Sequence, residues 1–144
     1  MPAKDPVYAS QLLDQSYRDD AYTPPTDYYI LLCTDVPDGD NNGTEVDTAI
    51  WTNYARIQVP NDPTNWGPAA IAGTPSTAST WNLIDIDFGA AVIVGTPPVI
   101  QGVEVWDDPT AGNRIHYGPI VANVQVINGV TPKFIAGALI IQET

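Results

Sequence analysis

Residues 99–120 read VIQGVEVW-DDPTAGNR-IHYGPI and contain two strand patterns around a polar turn. Val99–Trp106 and Arg114–Ile120 are rich in Val, Ile and aromatic residues, which favour strands. Asp107–Asn113 lies between them and holds Asp, Pro, Gly and Asn, the residues that build tight turns. This stretch therefore predicts β structure and sets the expectation for the rest of the chain.

The same strand pattern recurs over most of the chain after residue 27. Five further strands are predicted: Tyr28–Thr34, Tyr54–Val59, Trp81–Phe88, Asn123–Ile127 and Lys133–Ile141. Fourteen prolines and eleven glycines suit short strands joined by tight turns. The sequence therefore predicts a mainly β protein, a compact antiparallel β-sandwich or barrel of about seven strands with a short N-terminal helical arm.

One predicted strand is expected at the centre of the sheet, and three segments are predicted to connect strands. Lys133–Ile141 is apolar on both faces, which predicts a central strand, and Asn128-Gly129 predicts a hairpin turn before it. Asp35–Thr48 and Pro60–Ser79 carry turn residues throughout and are predicted to be loops. A loop as long as the second one usually has a role of its own.

A short amphipathic helix is predicted before the strands. Asp5 is a favourable N-cap and Pro6 suits the first turn, while the prolines at 24 and 25 end the helix by Ala21. Such a helix needs a surface to pack on, either its own sheet or a neighbouring subunit. We divide the chain into an N-terminal arm, residues 1–22, and a single β domain, residues 23–144. The apolar side chains of the arm are candidate interface residues: Tyr8, Leu12, Leu13 and Tyr17.

The composition is that of an acidic globular protein. Seventeen acidic and five basic residues give a net charge of −12, and nucleic-acid affinity is built from Lys and Arg contacts, so nucleic-acid binding is not expected. The sequence lacks a stretch of about 20 apolar residues that could span a membrane. Met1–Pro6 lacks the apolar core of a signal peptide. We expect synthesis in the cytoplasm and no contact with membranes.

Residues with catalytic or metal-binding chemistry are sparse. His116 is the only histidine and is expected on the outward face of its strand, without partners for acid–base catalysis. Asp85 and Asp87 share one strand face and are expected in solvent, whereas a glycosidase needs two carboxylates across a cleft. Asp38–Gly43 has oxygen ligands and a glycine like a calcium loop, but Ala49 stands where the bidentate Glu belongs. We expect no enzyme, cofactor or metal site, with calcium in this loop as the open alternative.

The tryptophans and the single cysteine divide between core and surface roles. Trp81 and Trp106 lie in predicted strands and are expected in the core. Trp51 and Trp66 lie in predicted loops, where each is either a lid over the core or a contact anchor, so both join the candidate interface residues. Cys33 lies in an apolar run and is expected to be a small buried side chain.

Short blocks of sequence occur in a characteristic order along the chain. They are Tyr8–Leu13, Ala21–Pro25, Leu31–Asp35, Gly43–Val46, Tyr54–Arg56, Leu83–Phe88, Ala111–Asn113 and Phe134–Leu139. In this order they resemble a family of small bacteriophage virion proteins, usually labelled tail fibre proteins of the Gp80 type. The Pro60–Ser79 loop is longer than in that pattern, and Gly89–Pro98 is typical of an insertion. The resemblance implies a structural protein of the virion, made in the cytoplasm of a bacterial host, with other virion proteins as partners.

Two locations on the virion fit this resemblance. We expect a capsid decoration (cement) protein that binds the major capsid protein on the outside of the shell through its arm and loops. A fibre usually needs a repetitive shaft, which this sequence lacks, and homotrimers would match the threefold symmetry of a shell. The alternative is a tail-fibre or baseplate-associated component that binds a host receptor, with the loop tryptophans stacking on host sugars.

Overall fold

The computed structural model describes residues 3–73 and 76–143, and this part of the chain is mainly β. It contains one helix, α1 (Pro6–Arg18), and ten strands. The strands are β1 (Ala3–Lys4), β2 (Asp27–Cys33), β3 (Ile57–Pro60), β4 (Ala70–Ala72), β5 (Thr77–Trp81), β6 (Ile86–Asp87), β7 (Val99–Trp106), β8 (Arg114–Gln125), β9 (Lys133–Phe134) and β10 (Ile140–Glu143).

The strands form three antiparallel sheets. The largest has the order β1-β8-β7-β2-β3, the second β10-β5-β4 and the third β6-β9. Strand β2, which lies between β7 and β3, is buried on both faces: Ile30 and Leu32 face the main core, while Leu31 and Cys33 are also shielded from solvent. The predicted β-sandwich is confirmed, and among the described residues each sheet is open rather than closed into a barrel.

The core joins the five-stranded sheet to the smaller sheets through a cluster of aromatic rings. The Trp51 ring centroid lies 5.2 Å from that of Tyr54 and 6.3 Å from that of Phe88. The Tyr54 hydroxyl accepts a hydrogen bond of 2.9 Å from the Leu32 backbone N–H and so fixes this cluster to β2. Trp51 is 0% exposed, so it lies in the core although the segment around it is a loop.

Helix α1 begins where its sequence signals predict and ends at Arg18, before the predicted limit at Ala21. The Asp5 carboxylate accepts a hydrogen bond of 2.9 Å from the Val7 N–H, Pro6 occupies the first turn, and Asp19 ends the helix in the left-handed conformation at φ 58°. The backbone N–H of Asp5 also donates to the Ile115 carbonyl, at 2.8 Å. The segment before α1 is therefore attached to β8. In the described ranges, no helix is long and apolar enough to cross a membrane.

The predicted loop Pro60–Ser79 contains regular structure. It includes β4 and the start of β5, which form a hairpin made mostly of Ala, Ser and Thr. The predicted strand Trp81–Phe88 is interrupted, because the buried side chain of Asn82 forms hydrogen bonds with the backbone of a later segment, residues 135–139. Its Oδ1 accepts from the Leu139 N–H at 2.8 Å, and its Nδ2 donates to the Ile135 carbonyl at 2.9 Å. This side chain holds a turn in place instead of continuing a strand.

The prediction of one central strand over Lys133–Ile141 is wrong. The segment forms β9 and β10 around the turn that Asn82 holds, and Gly137 in that turn has φ 82°, a left-handed conformation foreign to strands. The turn at Asn128-Gly129 does not join paired strands either, because β9 pairs with β6 and β10 with β5. Two predicted strands, Arg114–Ile120 and Asn123–Ile127, are largely combined in β8.

Candidate interaction surfaces

An apolar groove of about 520 Å³ opens beside the second half of β8. Core side chains such as Phe88 and Val103 contribute to its lining, so the groove continues the core toward the surface. Its exposed apolar residues include Val121, Val124, Val130 and Ile140. Contiguous exposed apolar surface of this kind is uncommon on soluble monomers and marks sites of contact with other molecules.

A bulge in β8 forms one wall of the apolar groove. Pro119 pairs with Gly102 and Val124 with Ile100, so residues 120–123 lie opposite the single residue Gln101. The excess residues leave the sheet, and Val121 within the bulge is fully exposed. The sequence shows only an apolar run here, because a pairing mismatch with β7 has no local signal.

The charge around the apolar groove is low for so acidic a chain. Lys133 is the charged residue among the described lining residues, and its ammonium lies 3.0 Å from the Asp85 carboxylate. That carboxylate also accepts a hydrogen bond of 2.9 Å from the Ala136 N–H. These contacts lower the pKa of Asp85, with the Lys133 hydrogen bond as the main cause. The groove therefore presents apolar surface with its nearest charges already paired.

A second concavity, the aromatic cleft, has a volume of about 340 Å³ and is lined by α1 and by the two larger sheets. Two aromatic pairs with edge-to-face geometry line it. The rings of Tyr8 and His116 are 5.5 Å apart, and those of Tyr28 and Trp66 are 5.9 Å apart. The side of the cleft formed by β5 has only small side chains, Ala78, Ser79 and Thr80, which leave the space between the rings open.

His116 is buried in the aromatic cleft, contrary to the outward position that the sequence predicts. Its Nε2 lies 3.0 Å from Glu143 Oε1, and the Lys4 ammonium pairs with the other oxygen of Glu143. Burial opposes ionisation of Glu143, but the contacts with His116 and Lys4 outweigh it and hold the pKa of Glu143 below its usual value. Burial raises the pKa of Tyr8, so its hydroxyl stays protonated. The prediction fails because β1 and α1 cover this part of β8.

The predicted interface residues separate into three environments. Tyr8 and Trp66 come together in the aromatic cleft, where Trp66 is only 9% exposed. Leu13 and Tyr17 are exposed on α1, Tyr17 to 83%, and Leu12 is half-buried. Trp51 is wholly in the core, so the hypothesis of a contact anchor is wrong for that residue. Contacts of the exposed α1 side chains with another subunit stay a prediction.

A family model described as Podophage GP4 fiber I protein gp80 matches residues 6–142. The chain belongs to this family. No curated protein matches the chain. The match to the gp80 fiber family extends from α1 to β10 and so includes both the apolar groove and the aromatic cleft. It confirms the resemblance in the sequence blocks and identifies a phage virion structural protein, which implies association with other virion proteins.

In this member of the gp80 family, a buried ionic cluster joins the N-terminus to the large sheet. Arg114 Nε donates to Asp5 at 2.8 Å and Nη1 donates to Glu104 at 3.1 Å. Glu104, which is 1% exposed, also accepts from the Gly43 N–H at 2.7 Å and from Trp106 Nε1 at 2.8 Å. The cluster supports the fold and gives no access to a substrate, because all three charged side chains are shielded from solvent.

The acidic loop after β2 is organised by hydrogen bonds to its own backbone. Asp38 Oδ1 accepts from the N–H groups of Asp40 and Asn41, each at 2.8 Å, and these bonds lower the pKa of Asp38. This is the geometry of a polar turn. Over residues 3–73 and 76–143, no group of three His, Cys, Asp or Glu side chains is arranged to hold a metal ion.

Proposed function

We propose that this gp80 family member is a non-enzymatic structural subunit of the fibre apparatus of the virion, joined to neighbouring subunits through the apolar groove. The family match supports a fibre-related position. The fully exposed Val121 beside an apolar recess carries the proposal of a subunit contact. Transfer of such a side chain into an apolar site is worth roughly 1.5–3 kcal/mol, so a few contacts of this kind can hold an assembly together.

The proposed partner at the apolar groove is a second copy of the chain. Each copy offers both a projecting bulge, residues 120–123, and a recess, so the bulge of one copy can enter the groove of the next. Head-to-tail contacts form a closed ring when the rotation between successive copies adds up to a full turn, and we propose a ring of three copies, a homotrimer. Each copy has a net charge of −12, so two copies repel one another over most of their surface. The groove is an apolar surface with few charged residues, so contact there is opposed least by this repulsion.

The test of this contact is the variant Val121→Asp, compared with Val36→Asp. Both valines are exposed, to 108% and 54%, but Val36 lies outside the apolar groove. We expect a trimer for the unmodified protein and for Val36→Asp, and a monomer for Val121→Asp, by sedimentation at equal thermal stability. An unmodified protein that is monomeric both in solution and on the particle would refute the proposal.

The non-enzymatic part of the proposal is supported by the positions of the acidic side chains. Asp85 is engaged by Lys133 and by the Ala136 N–H, and Asp85 and Asp87 are both exposed on the surface. We expect no hydrolysis of host polysaccharide, measured as release of reducing ends. Hydrolysis that disappears in Asp85→Asn would contradict this part.

Capsid decoration is the second candidate, favoured by the exposed apolar side chains of α1. Leu13 and Tyr17 project from a helix with no fully buried residue, as a contact element toward a shell would require. Copy number per virion, measured by quantitative mass spectrometry against the major capsid protein, separates the two candidates. Hundreds of copies in a simple ratio to the shell subunit would support decoration, and a few to a few dozen would support the fibre apparatus.

A further inference from the structure

We propose that the aromatic cleft binds a neutral sugar, the terminal unit of a glycan. This inference goes beyond the proposed structural function and does not depend on which partner occupies the apolar groove. It starts from the dimensions of the cleft. A volume of about 340 Å³ lies within the range of small-molecule sites, and the lining is mostly apolar with a few polar groups, as in such sites.

The rings of the aromatic cleft suit the apolar face of a sugar. Tyr8 and Tyr28 are half-buried rather than fully enclosed, and each is held in place by an edge-to-face contact, with His116 and Trp66 respectively. Aromatic faces carry partial negative charge, so they attract the weakly positive C–H groups of a pyranose ring. Because the rings are fixed before a ligand arrives, little conformational freedom is lost on binding.

The polar groups of the aromatic cleft suit hydroxyl groups. Asn61, Ser79 and Glu143 line the cleft and together offer an amide, a hydroxyl and a carboxylate. A sugar hydroxyl both donates and accepts hydrogen bonds, so it can bond to each of these groups in addition to their contacts within the protein. The Asn61 side-chain NH2 donates to the Pro25 carbonyl at 3.0 Å. This hydrogen bond fixes the Asn61 side chain and leaves its Oδ1 as an acceptor for a ligand.

The charges at the aromatic cleft favour a neutral ligand over an anion. The Lys4 ammonium is paired with Glu143, which also contacts His116. An anionic ligand would meet the Glu143 carboxylate in a protein whose net charge is −12. Neutral hexoses, deoxyhexoses and N-acetylhexosamines are therefore the ligand class, and uronic acids are not.

The experiment is a titration of the full chain with these three classes of neutral sugar and with a uronic acid, followed by NMR of the Trp66 indole. We expect at least one neutral sugar to shift the Trp66 signal, and the uronic acid to shift it less. Replacing Tyr8 by Ala should weaken binding roughly tenfold, and Tyr8→Leu, which keeps apolar volume for folding, should do the same. Tyr17→Ala, which alters an exposed ring on the same helix outside the cleft, should bind normally.

Three results would overturn the inference. The first is that no sugar of the panel perturbs the Trp66 signal. The second is equal binding by Tyr8→Leu and the unmodified protein. The third is uronic acid binding as tight as that of any neutral sugar. Sedimentation of Val121→Asp tests the apolar groove separately, so failure of the sugar site and failure of the proposed assembly can be told apart.

Discussion

Replacing Arg114 by Leu should reveal the cost of burying Glu104 without a partner. The side chains of Arg114 and Glu104 are 4% and 1% exposed and lie 3.1 Å apart. Arg114 also donates to Asp5 at 2.8 Å and to the Asn41 carbonyl at 2.9 Å. The substitution removes these contacts and leaves the Glu104 carboxylate with only neutral donors, the N–H groups of Gly43 and Trp106.

The expected loss follows from the asymmetry of buried ion pairs. Removing one partner of such a pair costs about 3–5 kcal/mol, because the remaining charge stays buried and uncompensated. Domains of this size are stable by roughly 5–15 kcal/mol, so the variant should lose a large fraction of its stability. The corresponding fall in Tm is roughly 10–15 °C.

Thermal and urea unfolding of three variants tests whether charge is the cause. Glu104→Gln combined with Arg114→Leu removes both charges of this pair and keeps one acceptor oxygen, which can accept from the Gly43 or the Trp106 N–H group but not from both, so it should recover about half of the loss. Arg18→Leu, a matched change at a side chain that is 70% exposed, should alter stability by less than about 0.5 kcal/mol. A double variant no more stable than Arg114→Leu alone would refute the reasoning.

Three further predictions concern the fold. Burial raises the pKa of the Cys33 thiol, so a thiol reagent should label it only after denaturation, and stoichiometric labelling of the native protein would contradict its buried position. Gly102→Ala should lower the free energy of unfolding in urea by more than about 2 kcal/mol, because the new Cβ would lie against the Pro37 ring. Gly137→Ala, which has open space but a φ of 82°, should lower it by about 1 kcal/mol. Equal losses in the two variants would contradict this explanation. Hydrogen bonds from the Thr44 hydroxyl and N–H lower the pKa of Asp35 from its ordinary value of 3.8. The ionised carboxylate therefore stabilises the fold above pH 3.8, and this stabilisation is lost as the pH falls through the lowered pKa. The acid decline of Tm should therefore be shallower in Asp35→Asn, and an unchanged decline would remove Asp35 as a contributor.

The sequence predicts the elements whose signals are local. β7 spans Val99–Trp106 as predicted, because its β-branched residues give a strand pattern and the polar turn at Asp107–Asn113 marks its end. The start of α1 is equally clear, since an Asp-Pro pair at residues 5 and 6 specifies a helix N-terminus by itself. The hairpin of β4 and β5 was not predictable in this way, because Ala, Ser and Thr give little strand signal and the pairing of the strands decides the structure.

The two candidate surfaces depend on contacts between distant residues, which the sequence does not show. The aromatic cleft joins Tyr8 and His116, 108 positions apart, and the predicted outward face of His116 became an inward one because α1 packs over it. Part of the apolar groove is lined by the Lys133–Ile141 segment, which the Asn82 side chain divides between two sheets by bonding backbone groups 53 and 57 positions away. In the sequence, the only hint of that turn is a single Asn between apolar residues, Trp81 and Leu83.

Experiments on binding through α1 need point variants rather than truncations. A deletion of residues 1–20 would remove Leu13 and Tyr17, but it would also remove Asp5 from Arg114 and Lys4 from Glu143. Loss of particle binding would then have two causes, a missing contact and a weakened fold. Changing Leu13 and Tyr17, which are exposed, alters the surface alone. Only a loss of binding in such variants, at unchanged Tm, would assign the contact to the helix.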